Sequence, residues 1–287
     1  MRLKYFSLLL IISSALATTK AQVVINEYSA ANLRQFTDDH NDYEDWIELY
    51  NNGINTADIS GYWISDDSAE IKKFQFPLGT SIKPDSFLIV WCSGRNLSVN
   101  HSFHTGFRLT QTKGTPDILV LSNSQGAILQ MLALEKTALH QSRCRSVDGG
   151  NTWKICTAPT PGASNNLSSQ YKSLCTRPGM NPPAGFYSDS VEVTITQNGV
   201  NQEIHYTMDG TEPTALSPVY TGPLTLTQTT IVKARNISSN PEVLPGLMRF
   251  NTYFINESFS LQVFSIAGDS LQDLANGTRE IRPVGSI

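Results

Sequence analysis

The sequence predicts an all-β protein built in two units. Three observations carry that expectation. Short runs rich in β-branched and aromatic residues recur along the chain, with Gly, Pro, Asn or Asp between most of them. Some of these runs alternate strictly, as at Val191, Val193 and Ile195 in SVEVTIT. No long stretch repeats its apolar residues with the 3.6-residue period of a helix.

The first 21 residues stand apart from this pattern. MRLKY carries two positive charges, FSLLLIISSALA is apolar, and small residues follow. That order is the signature of a secretory signal peptide over 1–21, cut after Ala17 or after Ala21. The apolar run Phe6 to Ala17 has 12 residues, against about 20 for a bilayer span. The reading is therefore export with cleavage, to the extracellular space or the cell surface. No later segment is apolar enough to span a membrane. Losing Arg2, Lys4 and Lys20 leaves 18 basic against 25 acidic residues, a formal charge of −7. No basic stripe survives, which excludes nucleic acid as the expected partner.

Residues 22–164 form the first unit. VVINEYSA, WIELYNN, GYWISDD, KKFQF, SFLIVWCSG, DILVLSN and AILQMLAL follow one another with turn signals between most of them. Strands so spaced predict a β-sandwich or barrel. In WIELY, alternation puts Ile47 and Leu49 on one face, the expected core. Trp46, Glu48 and Tyr50 lie on the other. TAPTPGASNNLSSQYKS is rich in Pro, Ser, Asn and Gly and marks a linker, assigned to 165–178. GFYSDSVEVTITQ, EIHYTMDGTEPT and PLTLTQTTIVKARNIS then supply strands for a second sandwich of Ig-like size over 179–255. Residues 256–287 begin with one strand-like run and are read as a short, unfinished segment.

An exported chain can oxidise its cysteines. Cys144 and Cys156 sit in SRCRS and WKIC, around the turn sequence Asp148-Gly149-Gly150-Asn151. Antiparallel strands closed by that turn bring the two sulfurs together, so they are the expected disulfide. Cys92, in LIVWCSG, reads as a buried free thiol. Cys175 reaches it only if the linker folds back. No C-x-x-C or His spacing marks a zinc motif.

The most polar stretch is QFTDDHNDYEDW, with six acids between Asp38 and Glu48. Asp38, Asp39, Asp42 and Glu44, with Asn41, are hard oxygen donors at close spacing and suit an optional calcium ion. The EF-hand glycine and terminal glutamate are missing. The preferred reading is a solvated loop that keeps a sheet edge polar. No catalytic set emerges. His101, His104 and His140 lack a Ser or Cys at a recognisable nucleophile turn, and His104 reads as a surface or strand-edge residue. Asp209 and Glu212 read as turn residues. Trp46 and Trp63 are the candidates for stacking on a sugar ring, whereas Trp91 in LIVWC reads as core.

VVINEYSA, DYEDWIELYN, ISGYWISDD, SFLIVWCSG, HTGFRL and WKICTAPTPGASN resemble, in that order, the bacterial lamin-tail domain family. The resemblance implies an Ig-like β-sandwich with a binding or structural role and no activity. IHYTMDGTEPT, SPVYTGPLTL and TTIVKAR resemble the small C-terminal sandwich of chitobiase-type enzymes, an accessory domain there. NESFSLQVFSIAGDSLQDLANG resembles the opening strand of spore-coat-H-type (CotH) kinase domains. A kinase needs a phosphate-contacting cation, a metal-holding carboxylate pair and a base. The residues after Asn256 are too few for these, and Asp269 and Asp273 suit helix capping instead. The expectation is a secreted, non-enzymatic binding, scaffold or adhesion module whose partner is a protein or a glycan. One alternative is the N-terminal fragment of a CotH-like atypical protein kinase. Another is a carbohydrate-binding accessory protein.

Overall fold

The computed structural model describes residues 22–111, 115–260 and 263. The expected signal peptide, and Asp269 and Asp273 with most of the CotH-like segment, lie outside the described residues. Strands supply nearly all the regular structure, and the arrangement is all-β and sandwich-like, as the sequence predicts. Among the described residues the one helical element is a 3-10 turn, Asn165–Leu167.

An eight-stranded sheet organises the first part of the chain. Its order is Gln170–Tyr171, Trp153–Cys156, Ser142–Arg145, Val23–Ser29, Asp45–Asn51, Phe87–Cys92, Ser102–His104, Leu97–Val99. A four-stranded sheet of Ile128–Ala133, Ile118–Ser122, Trp63–Ser65 and Phe74–Gln75 packs against it. The shared core joins Ile25, Ile47, Leu49 and Val90 of the large sheet to Ile64, Phe74, Leu119 and Leu121 of the small one. Burying each such side chain contributes about 1.5–3 kcal/mol. Tyr50, Trp46 and Ile47 pair in turn with Phe87, Trp91 and Val90, and such cross-strand pairs fix the register.

The Val23–Ser29 strand carries a bulge. Ile25 pairs with Leu49, but Glu27, not Asn26, pairs with Glu48. One extra residue in one strand re-aims the side chains that follow it. Asn26 is thereby pushed out of the ladder, and two glutamates stand opposite each other.

The WIELY expectation needs correction on one face. Ile47 and Leu49 are in the core, but Trp46 and Glu48 are also fully buried. The second face is not solvated because chain segments fold over it. Phe36 meets the Trp46 ring edge-on at 6.4 Å. Within the sheet itself, the cross-strand partner Phe87 lies against Tyr50 at 5.0 Å. The Gly162 N–H donates to Glu48 Oε2 at 2.6 Å.

The second part has its own core. Gly179–Asn181, Val191–Thr196 and Leu224–Leu226 form a three-stranded sheet. Gly185–Tyr187, Arg249–Ile255, Thr230–Ser238 and Gln202–Thr207 form a four-stranded one. Val191, Val193 and Ile195 point inward against Val232, Ala234 and Tyr253, and Glu192 and Thr196 are exposed.

The stretch assigned as a linker is hydrogen-bonded on both sides. Gln170–Tyr171 adds to the edge of the large sheet beside Ile155 and Cys156. Ser173–Leu174 pairs in parallel with Val243–Leu244. The Lys172 N–H donates to the Glu242 carbonyl at 2.8 Å, and the Cys175 N–H to the Leu244 carbonyl at 2.9 Å.

Candidate functional site

Two groups of ionisable side chains emerge around the Asp45–Asn51 strand. The first is the acidic loop that leads into it. Asp38 is buried and organises this loop. Its Oδ1 accepts the backbone N–H of His40 and of Asp42, both at 2.9 Å. Its Oδ2 accepts from Arg95 Nη1 at 2.8 Å. Arg95 also pairs with Asp42 and lies 3.8 Å from Glu44, and Arg108 Nη1 donates to Glu44 at 2.8 Å. Two guanidiniums thus answer three of the crowded acids, which otherwise repel one another. Of the calcium candidates, Asp38, Asp42 and Glu44 face arginines, and Asp38 and Asp39 also gather with His40 and His104.

His104 corrects the sequence expectation most sharply. It is fully buried, not at the surface. The Ser102–His104 strand runs parallel to Phe87–Cys92, which sinks the ring under the acidic loop. Nε2 lies 2.7 Å from Asp39 Oδ1 and 3.1 Å from Ser102 Oγ. Nδ1 lies 3.0 Å from Ser93 Oγ. His40 Nδ1 approaches the same Asp39 oxygen at 3.1 Å. Burial alone raises the Asp39 carboxyl, but hydrogen bonds with His104, Ser102 and His40 outweigh it and hold it down at about 2. The Ser93–His104–Asp39 order resembles a nucleophile–base–orienter chain. Ser93 is buried, however, and its oxygen also accepts the Arg95 N–H. A substrate has no access to it.

The second group was not singled out in the sequence. Glu27 and Glu48 are both buried. Glu27 accepts from Ser142 Oγ, from Thr160 Oγ1 at 3.0 Å and from Thr160 N–H at 3.1 Å. Glu48 accepts from Gly162 N–H and from Asn26 Nδ2, the latter at 3.1 Å. Burial pushes Glu27 up to about 7 against those hydrogen bonds. Burial, and then the neighbouring Glu27 charge, pushes Glu48 up to about 8. Asn26 also donates to Asp148 Oδ1 at 3.0 Å and accepts the Gly149 N–H at 3.0 Å. Asp148 in turn accepts from Ser164 Oγ and from the Asn165 N–H. These bonds sew the 148–150 turn and the 160–165 loop onto the sheet. The clue in the sequence is the Asn-Glu pair inside the apolar run VVINEY.

Cys144 and Cys156, the expected pair, are joined by a disulfide with 5.9 Å between Cα atoms. Cys92 and Cys175 are buried thiols. Trp46 cannot stack on a ligand because its whole side chain is enclosed. Trp63 is half-buried, and Lys72 Nζ sits 5.9 Å from its ring centroid. Asp209 accepts from Thr211 N–H and Oγ1, a turn closed on itself.

Two family models match stretches of these two cores. A family model described as Lamin Tail Domain matches residues 17–136. A second, described as Chitobiase/beta-hexosaminidase C-terminal domain, matches residues 182–242. Both are non-catalytic, Ig-like domain types, and they fit a binding or scaffold module. No curated protein matches the chain. The first match stops before the strands Ser142–Arg145 and Trp153–Cys156, which nevertheless complete the same sheet. The second stops before Arg249–Ile255, which pairs with Thr230–Ser238. Among the described residues no helix is long and apolar enough to cross a membrane.

Proposed function

We propose that the protein is an exported, non-enzymatic binding or scaffold module that docks on a protein or a glycan at the cell surface or beyond it. The observation that carries the proposal is how its ionisable groups are used. Asp38, Asp42 and Glu44 answer arginines. Glu27, Glu48 and Asp148 hold loops. These acids brace loops against the sheet, which supports a docking or scaffold role. The two matched domain types agree with that role. The Cys144–Cys156 disulfide agrees with an oxidising compartment.

The test has two parts. Fractionation of the producing cells, with intact mass, is expected to find the chain outside, starting after residue 17 or 21. A full-mass chain held in the cytoplasm would overturn export. A glycan array and surface-protein crosslinking then separate the two partner classes. Saturable binding to one class, with no turnover of that partner, is the expected result. Chemical conversion of a bound partner would overturn the non-enzymatic reading.

A further inference from the structure

We infer that His40, Asp39 and His104 form a binding site for a single transition-metal ion of the zinc class. The sequence offers hard oxygen donors and so points to calcium, but the fold changes the donor set. It brings two imidazole nitrogens onto one carboxylate oxygen. His104 Nε2 is 2.7 Å and His40 Nδ1 is 3.1 Å from Asp39 Oδ1. With Asp38, the four donor atoms all lie within 4.8 Å of one another. Imidazole nitrogens with a carboxylate suit zinc, nickel and copper, whereas calcium prefers six to eight oxygens.

The parts around the donors fit the same reading. The far nitrogen of His104 rests on Ser93 Oγ at 3.0 Å, which orients the ring as an outer partner orients a metal-bound imidazole. Asp38 is the brace of the loop. Its carboxylate is held by Arg95 and by two backbone N–H groups, which sets the loop backbone so that the Asp39 and His40 side chains reach the buried ring. The anchor is enclosed, and the other two donors are open to solvent, His40 at 43% and Asp39 at 46% side-chain exposure. An ion therefore meets two solvent-facing donors first, with the enclosed His104 ring directly beneath them. In a tetrahedral zinc site with bonds near 2.0–2.1 Å, neighbouring donor atoms lie about 3.3 Å apart. The present spacings are those of hydrogen bonds. A small outward movement of the exposed Asp39 and His40 converts them to metal spacing, with the metal replacing protons between nitrogen and oxygen. Three protein ligands leave one position for water.

The test uses the mature chain without a histidine tag, freed of metal by chelation. Zinc is titrated against a chromophoric chelator, and cobalt(II) is titrated while its visible absorption is recorded. One zinc per chain is expected, together with the intense bands of tetrahedral cobalt. H40Q and D39N alter the exposed loop, so both variants are expected to fold, and circular dichroism checks this. Each is expected to weaken zinc binding at least about tenfold. Calcium at the same concentration is expected to leave the cobalt bands unchanged. The absence of saturable zinc binding overturns the inference. So does zinc affinity that is the same in H40Q and D39N as in the parent chain, because the ion would then sit elsewhere.

Discussion

Glu27 and Glu48 face each other across the central antiparallel ladder because Asn26 is squeezed out of it. Two acids at partnered positions inside a sheet are unfavourable when both are charged. The fold tolerates them by supplying hydrogen-bond donors and by raising both above the ordinary carboxylate range.

This relationship predicts an unusual pH dependence. The ordinary value is 4.5, and the folded values are about 7 and about 8. Between pH 4.5 and 8 the folded chain therefore holds more protons than the unfolded one. Stability from this pair is full below 4.5 and is lost progressively as pH rises through 7 and 8. A tenfold change in proton affinity on folding is worth about 1.4 kcal/mol, so the pair together is worth several kcal/mol across that window. Urea midpoints measured from about pH 5 to about pH 9 are expected to fall. In E48Q the slope is expected to be roughly halved. A midpoint that does not fall across this range would mean that both acids ionise in the fold as they do in the unfolded chain.

Arg95 is predicted to be a keystone of the acidic loop. Its removal leaves the buried Asp38 carboxylate facing Asp42 and Glu44 without their shared cation. Breaking a buried pair from one side costs roughly 3–5 kcal/mol. R95A is expected to lose stability near the lower end of that range, because Asp38 keeps two backbone donors. R95A/D38N is expected to recover part of the loss, as a double-mutant cycle by chemical denaturation would show.

The disulfide spans 12 residues in sequence. Chain-entropy arguments give it about 3 kcal/mol. C144S/C156S is expected to show a loss of that order in denaturation. The two remaining thiols, Cys92 and Cys175, are buried, and burial raises both above the ordinary thiol value. A thiol reagent at neutral pH is expected to label neither in the folded chain and both after unfolding.

The tryptophans are predicted to separate by role. Trp46 is enclosed, so W46A is expected to cost about 3–5 kcal/mol. Trp63 is half-buried beside Lys72, so W63A is expected to cost less than half as much. Thermal or urea unfolding of the two variants side by side checks the order.

Much of the fold was legible from local pattern. The alternation at Val191, Val193 and Ile195 reports one buried face, and the structure buries it. The Cys144–Cys156 pair follows from a turn between two short strands, a relationship contained within a dozen residues. What stayed hidden depends on segments distant in sequence. Alternation in WIELY separates two faces, but it carries no information that Gly162, more than a hundred residues on, covers the second one. His104 looks polar and exposed in HTGFRL, and only the parallel pairing with Phe87–Cys92 sinks it beneath Asp39. The bulge at Asn26 is likewise a property of two strands and not of one.

The paired junction between the two cores has a consequence for handling by proteases. A protease binds its target as an extended strand whose backbone is free to hydrogen-bond with the cleft. At Gln170–Tyr171 and Ser173–Leu174 those backbone groups are already engaged, to the edge of one sheet and to Val243–Leu244. Polar composition alone would mark this stretch as the place to nick. With its amides occupied, trypsin at Lys172 has to wait for local opening, and under native conditions the two halves are expected to resist being cut apart there.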